Sequence, residues 1–217
     1  MSTHKKHKAA NWAGYFLVIY YLVGLVGLAL PSTRETFTGL IPLSILLSTA
    51  ILLLFHGNWR STDLVVLLFI AITGFLIEVL GVLTGHVFGN YAYGTALGLQ
   101  VFNTPLIIGV NWMLLVYCVF AIMEGTKLFW PLKALTAAVL MVVYDFVMEP
   151  VAMRLDMWQW EGGTIPLQNY QAWFIISVIF LSAMHLARIK TSNRVGPWLF
   201  GIMFLFFLLL NIYFRIF

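Results

Sequence analysis

Apolar residues fill seven stretches of this chain, and polar residues concentrate in the segments between them. A helix rises about 1.5 Å per residue, so about 20 apolar residues cross a hydrocarbon layer about 30 Å thick. The pattern therefore predicts an all-α, polytopic membrane protein, a bundle of about seven transmembrane helices. The predicted spans are residues 13–31, 38–56, 62–84, 103–123, 131–153, 170–187 and 195–216.

The composition also indicates a protein that is embedded in a membrane. Of its 217 residues, 62% are apolar and only 9% are charged, and the mean hydropathy is +0.95. A soluble domain carries about a quarter charged residues, so water is not the main solvent here. No linker or low-complexity tract divides the chain, which predicts one integral membrane domain over residues 1–217. The single cysteine, Cys118, excludes a disulfide framework.

The basic residues are distributed unevenly between the two ends of the predicted bundle. If the spans alternate in direction, one end carries most of the Lys and Arg residues, including a basic tail over residues 1–12. The other end carries only Arg34, Arg154 and Arg215. Cytoplasmic loops of membrane proteins are enriched in Lys and Arg, so we expect a cytoplasmic N-terminus. Since topology explains the basic residues, we expect no nucleic-acid partner.

Three carboxyl groups lie inside the predicted spans, those of Glu78, Asp145 and Glu149. Hydrocarbon cannot solvate an ionised acid, so such an acid pairs, lines a wet cavity or holds a proton. Counting about 1.5 Å of helix per residue places all three acids in the half of the bilayer away from the basic tail. The same count places Asn111, on a neighbouring span, at a similar depth. We therefore expect acids from two helices and an amide from a third to converge.

Asp145 and Glu149 are four residues apart and share one face of a helix. Two carboxyl groups close together in a low dielectric do not both stay ionised, so one keeps its proton and is a candidate general acid. The alternative is a structural ion pair with Arg154. Pro150, directly after Glu149, predicts either a kink that opens a pocket or the end of the helix.

Two longer loops, residues 86–102 and 156–169, join spans at the end away from the basic tail. Both are rich in Gly, Tyr and Trp, and non-helical backbone near a membrane must be covered by protein or line a wet cavity. The loops are therefore predicted to cover a site. Its candidate polar groups are His86, Asn90, Asn111, Asp156 and Asn169, and its candidate aromatic groups are Tyr91, Tyr93, Tyr144, Trp158, Trp160 and Trp173.

These residue types limit the possible chemistry. Trp and Tyr faces stabilise cations, so an acid beside aromatic walls suits a reaction through a carbocation. His86 has no second histidine near it, so a histidine metal site is not expected, while a carboxylate site for a hard cation stays open. The chain has no G-x-S-x-G, P-loop or dinucleotide motif. The last span has no lysine for a retinal Schiff base.

Between about residues 70 and 175 the chain contains, in this order, EVLGVLTGHVFGNYAYG, LGLQVFNTPLIIGVNW and YDFVMEPVAMRLDMWQWEGGTIPLQNYQAWF. Within them are a D-x-x-x-E-P pattern (145–150), a W-x-W (158–160), an I-P-L-x-N (165–169) and a G-x-Y-x-Y (89–93). This combination resembles the membrane-bound carotenoid hydratases, which act on bisanhydrobacterioruberin or on the acyclic end of γ-carotene-like pigments. The chain departs from that pattern at Gly163-Thr164, where an aromatic residue and glycine are expected, and this leaves the substrate end group open.

The resemblance implies a cofactor-independent hydration of the terminal isopropylidene double bond of an acyclic carotenoid, which gives a tertiary alcohol. Asp145 or Glu149 would donate the proton, and Glu78 would orient the water or accept its proton. The polar candidates would support the water, and the aromatic candidates would bind the substrate. The expected partners are the carotenoid, water and membrane lipid, with no cofactor and no metal, in the cytoplasmic membrane of a prokaryote.

Two other functions remain open from the sequence. A carotenoid end-group cyclase would share the protonation step but capture the cation with a neighbouring double bond. A proton-coupled transporter or a pigment-binding protein would use the acids without turnover. Transporters commonly contain inverted repeats and broken helices, whereas this chain shows no evident repeat, and Pro150 is the one interruption expected inside a span.

Overall fold

The computed structural model describes the backbone of residues 3–216 and the side chains of residues 8–216, so the Lys5 and Lys6 side chains of the basic tail lie outside the described residues. Its helices are α1 (Thr3–Ala29), α2 (Pro31–Gly39), α3 (Ile41–Leu54), α4 (Ser61–Thr84), α5 (Ile107–Glu124), α6 (Trp130–Arg154), α7 (Leu167–Leu186) and α8 (Val195–Ile216). Six of them are long and apolar enough to cross a membrane. The predicted all-α, polytopic membrane fold is confirmed.

The second predicted span, residues 38–56, corresponds to α3, whose 14 residues are fewer than the predicted span contains. The preceding residues form the unpredicted short helix α2, which meets α3 at an angle of 57°. Gly39 ends α2, and Pro42 lies in the first turn of α3, where its missing N–H cannot continue the ladder of α2. The chain has seven crossings if this bent pair counts as one.

Helix α6 contains Pro150 in its interior and continues to Arg154. Of the two alternatives predicted for this proline, the end of a helix is therefore excluded. Because proline has no N–H, the carbonyl of Phe146 loses its usual partner in the helical ladder. This position lies between the two acids of α6.

The two long loops carry short strands that the apolar pattern did not predict. β1 (Tyr91–Tyr93) pairs antiparallel with β4 (Trp158–Trp160). β2 (Gln100–Val101) and β3 (Thr104–Pro105) form a second antiparallel pair between β1 and α5. The β1–β4 pair ties the loop after α4 to the loop after α6. We call this end of the bundle the capped end, and the opposite one the basic end.

Helix α5 lies at the centre of the bundle. It contacts α3, α4, α6, α7 and α8. In its apolar stretch 78% of the residues are buried, against 22% in α1 and 28% in α8. The peripheral helices expose large apolar side chains such as Ile19, Ile72 and Leu209, as expected for surfaces that face lipid tails. Gly109 allows α5 to approach α4 closely, because a Cβ there would collide with the Ala71 carbonyl oxygen.

A buried polar cluster joins the helices at the basic end. The Asp63 carboxylate accepts hydrogen bonds from the Arg60 guanidinium at 2.6 Å and the Arg60 backbone N–H at 3.0 Å, and it lies 3.2 Å from His56 Nε2. His56 Nδ1 lies 2.7 Å from the Tyr117 hydroxyl. That hydroxyl accepts a hydrogen bond from Asn193 Nδ2 at 3.3 Å. The cluster therefore connects the end of α3 and the start of α4 to α5 and to the segment before α8.

We expect Asp63→Ala to lower the thermal unfolding midpoint of the detergent-solubilised protein by several degrees. The substitution leaves the buried His56 ring without one of its partners, and an unpaired buried polar group destabilises the folded state. The control is Glu35→Ala, which removes an exposed acid of α2 and should change the midpoint little. Equal midpoints for the two variants would contradict a stabilising role for the cluster.

Candidate active site

Three buried carboxyl groups lie beneath the capped end. Glu78 comes from α4, Asp145 and Glu149 come from successive turns of α6, and each residue is at most 4% exposed. Glu78 and Glu149 line one small cavity, which we call the acid chamber. Its other walls are Phe88, Tyr91, Tyr93, Ile108, Asn111, Met148, Trp158, Trp160, Asn169 and Trp173. Its volume of about 20 Å³ has room for about one water molecule.

Glu78 is held by three aromatic donors. Trp112 of α5 donates its indole N–H to Oε1 at 2.8 Å. The hydroxyls of Tyr91 and Tyr93 donate to Oε2 at 2.6 and 2.7 Å. Alternate residues of a strand point to the same face, which explains why both tyrosines of β1 reach one carboxylate. Burial and the neighbouring Glu78 charge raise the pKa of both phenols, so they remain hydrogen-bond donors.

Glu149 is held by a similar pair from the opposite strand. The indole N–H groups of Trp158 and Trp160 donate to Oε2 at 2.9 and 2.8 Å. The side-chain amide of Asn169 on α7 donates to Oε1 at 3.3 Å. The antiparallel register places Tyr91 opposite Trp160, with ring centroids 5.0 Å apart. Pairing of β1 with β4 therefore brings two carboxylates from different helices under one aromatic cap.

Asp145 has a different environment from the other two acids. Its Oδ2 accepts a hydrogen bond from Asn169 Nδ2 at 2.7 Å, and the same nitrogen also donates to Glu149. Its Oδ1 is buried and has no hydrogen-bond partner among the described residues. The Asp145 side chain does not line the chamber. It lies one helical turn from Glu149, which does line the chamber. Asp145 is thus the least well solvated of the three acids.

No cation compensates these acids within the described side chains. The ion pairs found in residues 8–216 are His56–Asp63, Arg60–Asp63 and Lys133–Glu124. Arg154, the predicted alternative partner of Glu149, is exposed, and its guanidinium lies 5.9 Å from the centroid of the Phe214 ring. The same residues contain no group of three His, Cys, Asp or Glu side chains placed to hold a metal ion.

An apolar tunnel of about 340 Å³ adjoins the acid chamber. Side chains of α1, α2, α3, α5, α6, α8 and the loops between helices line it. Two of the lining residues, Val23 of α1 and Leu40 between α2 and α3, are exposed on the outside of the bundle. The tunnel therefore reaches the surface that faces lipid. Four residues line both the tunnel and the chamber, and we call them the neck: Ile108, Asn111, Met148 and Trp158.

A family model described as carotenoid biosynthesis protein matches residues 39–216. The chain belongs to the carotenoid biosynthesis protein family. This match includes all three acids, the four strands and every helix from α3 to α8. Membership indicates an enzymatic role in carotenoid biosynthesis and a carotenoid substrate. No curated protein and no solved structure matches the chain.

Three polar residues predicted to support the site of this carotenoid biosynthesis protein do not reach the acid chamber. His86, Asn90 and Asp156 are exposed on the capped end. Asn90 Nδ2 donates to Glu161 Oε2 at 2.7 Å, and His86 Nδ1 lies 2.6 Å from a carbonyl oxygen of its own turn. For His86 the physical reason is that Gly85 caps α4 in the left-handed conformation (φ 67°), which turns the chain away from the helix axis directly before this residue. Asp156 lies in a separate turn after α6 and itself has a positive φ of 54°.

Except for Asp145, which lies one helical turn behind Glu149, the other predicted residues line the chamber or the tunnel of this family member. Tyr144 lines the tunnel rather than the chamber. Sequence reasoning missed Trp112, which holds Glu78 and stacks on Trp173 with ring centroids 4.3 Å apart. The sequence offers one indication that Trp112 has a special role. Trp112 lies inside a predicted span, whereas Trp residues of membrane proteins are enriched at the membrane interface. Gly74 makes room for it, because a Cβ there would lie 2.9 Å from the Trp112 side chain.

The raised pKa of the two phenols predicts a spectroscopic result. A Tyr91→Phe/Tyr93→Phe variant should show the same rise in tyrosinate absorbance as the wild type between pH 8 and about 11, because neither phenol ionises where an ordinary tyrosine does, near a pKa of about 10. Titration in denaturant is the control, since it exposes every phenol and should reveal the two missing tyrosines. A smaller rise for the folded variant would show that the phenols ionise normally.

Proposed function

We propose that this protein adds water to the terminal isopropylidene double bond of an acyclic carotenoid end group and forms a tertiary alcohol. The observation that carries the proposal is an apolar tunnel, open to lipid, that adjoins a chamber lined by acids without a cation. The tunnel suits the hydrocarbon end of a polyene. The chamber has room for about one water molecule, and hydration consumes one.

The Asp145–Glu149 pair supplies the proton. Without a cation, the ionised forms of two neighbouring carboxyl groups repel each other in a low dielectric, so the pair retains one proton and titrates as a unit. At rest the proton is on Asp145, whose Oδ1 no donor stabilises. Asp145 passes this proton to the neighbouring Glu149 carboxylate, which faces the chamber and delivers the proton to the CH carbon of the double bond. The two π electrons form the new C–H bond and leave a tertiary cation on the dimethyl carbon.

Aromatic faces stabilise the cation at the neck and in the chamber. Trp158 lines both cavities, and Tyr91, Tyr93, Trp160 and Trp173 line the chamber. A cation over a desolvated aromatic face gains about 2 kcal/mol. The two tyrosines and the two tryptophans of the cap have fixed orientations because they donate to Glu78 and Glu149, and Trp173 is held by stacking on Trp112.

The chamber water then captures the cation. Its oxygen forms the C–O bond, and the proton that it releases passes to the Glu78 carboxylate. The three donors around Glu78 favour its ionised form until that moment. Return of the proton from Glu78 to the Asp145–Glu149 pair restores the site. The overall reaction consumes one alkene and one water, forms one alcohol and needs no redox cofactor.

The substrate enters sideways from the membrane, and the rest of the polyene stays in lipid. Val23 and Leu40 mark the place where the tunnel meets the lipid-facing surface. Most Lys and Arg residues lie at the basic end, which supports a cytoplasmic N-terminus and a multi-pass orientation in the cytoplasmic membrane of a prokaryote. Water would then approach the chamber from the capped end.

An end-group cyclase is the second candidate, since it needs the same proton donor. Cyclisation requires space in which the polyene folds back on its own cation. The end group would have to fold in the tunnel, whereas the acid chamber beside it has room for about one water next to the acids, and this water site favours hydration.

Substitution of each acid by its amide tests the assignment. In a host that makes an acyclic carotenoid, we expect Glu149→Gln and Asp145→Asn to lower alcohol formation by at least about 100-fold, because neither amide carries a transferable proton. Glu78→Gln should also lower it, since the amide cannot accept the proton from water. The matched control is Glu161→Gln, an exposed acid of the cap, which should retain wild-type turnover.

The mass of the product separates the competing functions. Wild-type protein should add the mass of one water to the pigment, whereas a cyclase would leave the mass unchanged and alter the absorption spectrum. Pigment that is bound but chemically unchanged would indicate a transporter or a binding protein. Full conversion by both Asp145→Asn and Glu149→Gln would contradict the proposed proton donor.

A further inference from the structure

Asn111 has an unusual environment for a polar residue within a membrane-spanning helix. It lies on α5, it is half-buried, and it lines both the tunnel and the acid chamber. Its side-chain amide makes no hydrogen bond with any described residue of the chain. By contrast, the side chains of Asn169, Asn193 and Asn211 each donate to a protein acceptor, at 2.7, 2.8 and 3.0 Å.

A free amide inside a membrane-spanning bundle is costly unless something else satisfies it. Removal of an amide from water without a compensating hydrogen bond destabilises the folded state. The other neck residues, Ile108, Met148 and Trp158, are mainly apolar, so the amide of Asn111 faces the cavities rather than the protein. The amide is therefore available to hydrogen-bond with a molecule that enters the neck.

We propose that Asn111 positions the attacking water and so determines the fate of the cation. This inference rests on the proposed hydration. The amide oxygen accepts one O–H of the water, which directs a lone pair of the water oxygen toward the dimethyl carbon, while the second proton faces Glu78. The C–O bond forms from that lone pair, and the proton released from the oxonium goes to the Glu78 carboxylate.

Without a positioned water, the same cation undergoes a different reaction, deprotonation. It loses a proton from an adjacent carbon to a carboxylate of the chamber, and the C–H electrons restore a double bond. No water is consumed on this path, and the proton returns to the site. The identity of residue 111 would therefore decide between an alcohol and a regenerated or isomerised alkene.

Asn111→Leu in D₂O distinguishes water capture from protonation. Membranes with the enzyme and an acyclic carotenoid are incubated in D₂O, and both the alcohol and the recovered alkene are examined by mass spectrometry. We expect alcohol formation to fall at least about tenfold, the loss expected when one hydrogen bond of about 1.4 kcal/mol is removed. Carbon-bound deuterium should accumulate in the recovered alkene, because the cation still forms and then loses a proton.

The matched control is Asn211→Leu, which removes a membrane-embedded amide that donates to the Val147 carbonyl and lines neither cavity. Its alcohol formation should remain close to that of the wild type. If Asn111→Leu does not accumulate as folded protein, Asn111→Ala provides the same comparison, because the smaller side chain cannot overfill the neck.

Three results would count against the inference or its basis. Wild-type alcohol formation in the Asn111 variants overturns the role of Asn111 and leaves the proton donor intact. Loss of both alcohol and deuterium incorporation in a folded variant also overturns it, because Asn111 would then be needed for protonation. Wild-type alcohol without carbon-bound deuterium would instead contradict the proposed protonation itself.

Discussion

The two acids of the chamber, Glu78 and Glu149, are held mainly by aromatic hydrogen-bond donors and not by cations. Glu78 and Glu149 each accept three hydrogen bonds, and five of the six donors are indole or phenol groups. These donors come from α5, β1 and β4, so the β1–β4 pairing and the central position of α5 are both required to keep the carboxylates inside the bundle. Neutral donors stabilise a charge without cancelling it, which leaves the chamber able to gain and release protons.

This arrangement divides the proposed reaction between two cavities with different properties. The apolar tunnel has the volume and the opening to lipid that a hydrocarbon end group needs, and the acid chamber has room for about one water. They meet at a neck that contains one unpartnered amide, Asn111. A carotenoid biosynthesis protein built in this way can keep its substrate in lipid while confining water to one place beside the reacting carbon.

The sequence predicted the membrane fold and the three acids, because long apolar runs and charges within them are local signals. It did not predict the bend between α2 and α3, because residues 31–39 are mostly polar and lay largely outside the predicted spans. Trp112 was missed because its contact with Glu78 depends on how closely α4 and α5 pack. His86, among the predicted site residues, lies outside the chamber, since the direction of a loop after a left-handed glycine is a tertiary property.

The most direct test of the account is whether a carboxyl group of the Asp145–Glu149 pair is protonated at neutral pH. Infrared spectra of the protein in lipid membranes detect the carbonyl stretch of a protonated carboxyl group, which shifts in D₂O. A proton held by the pair would give this band in the wild type, and the band would be lost in the Asp145→Asn/Glu149→Gln variant but not in Glu161→Gln. A wild-type spectrum without the band, at a pH where the enzyme turns over, would contradict the stored proton.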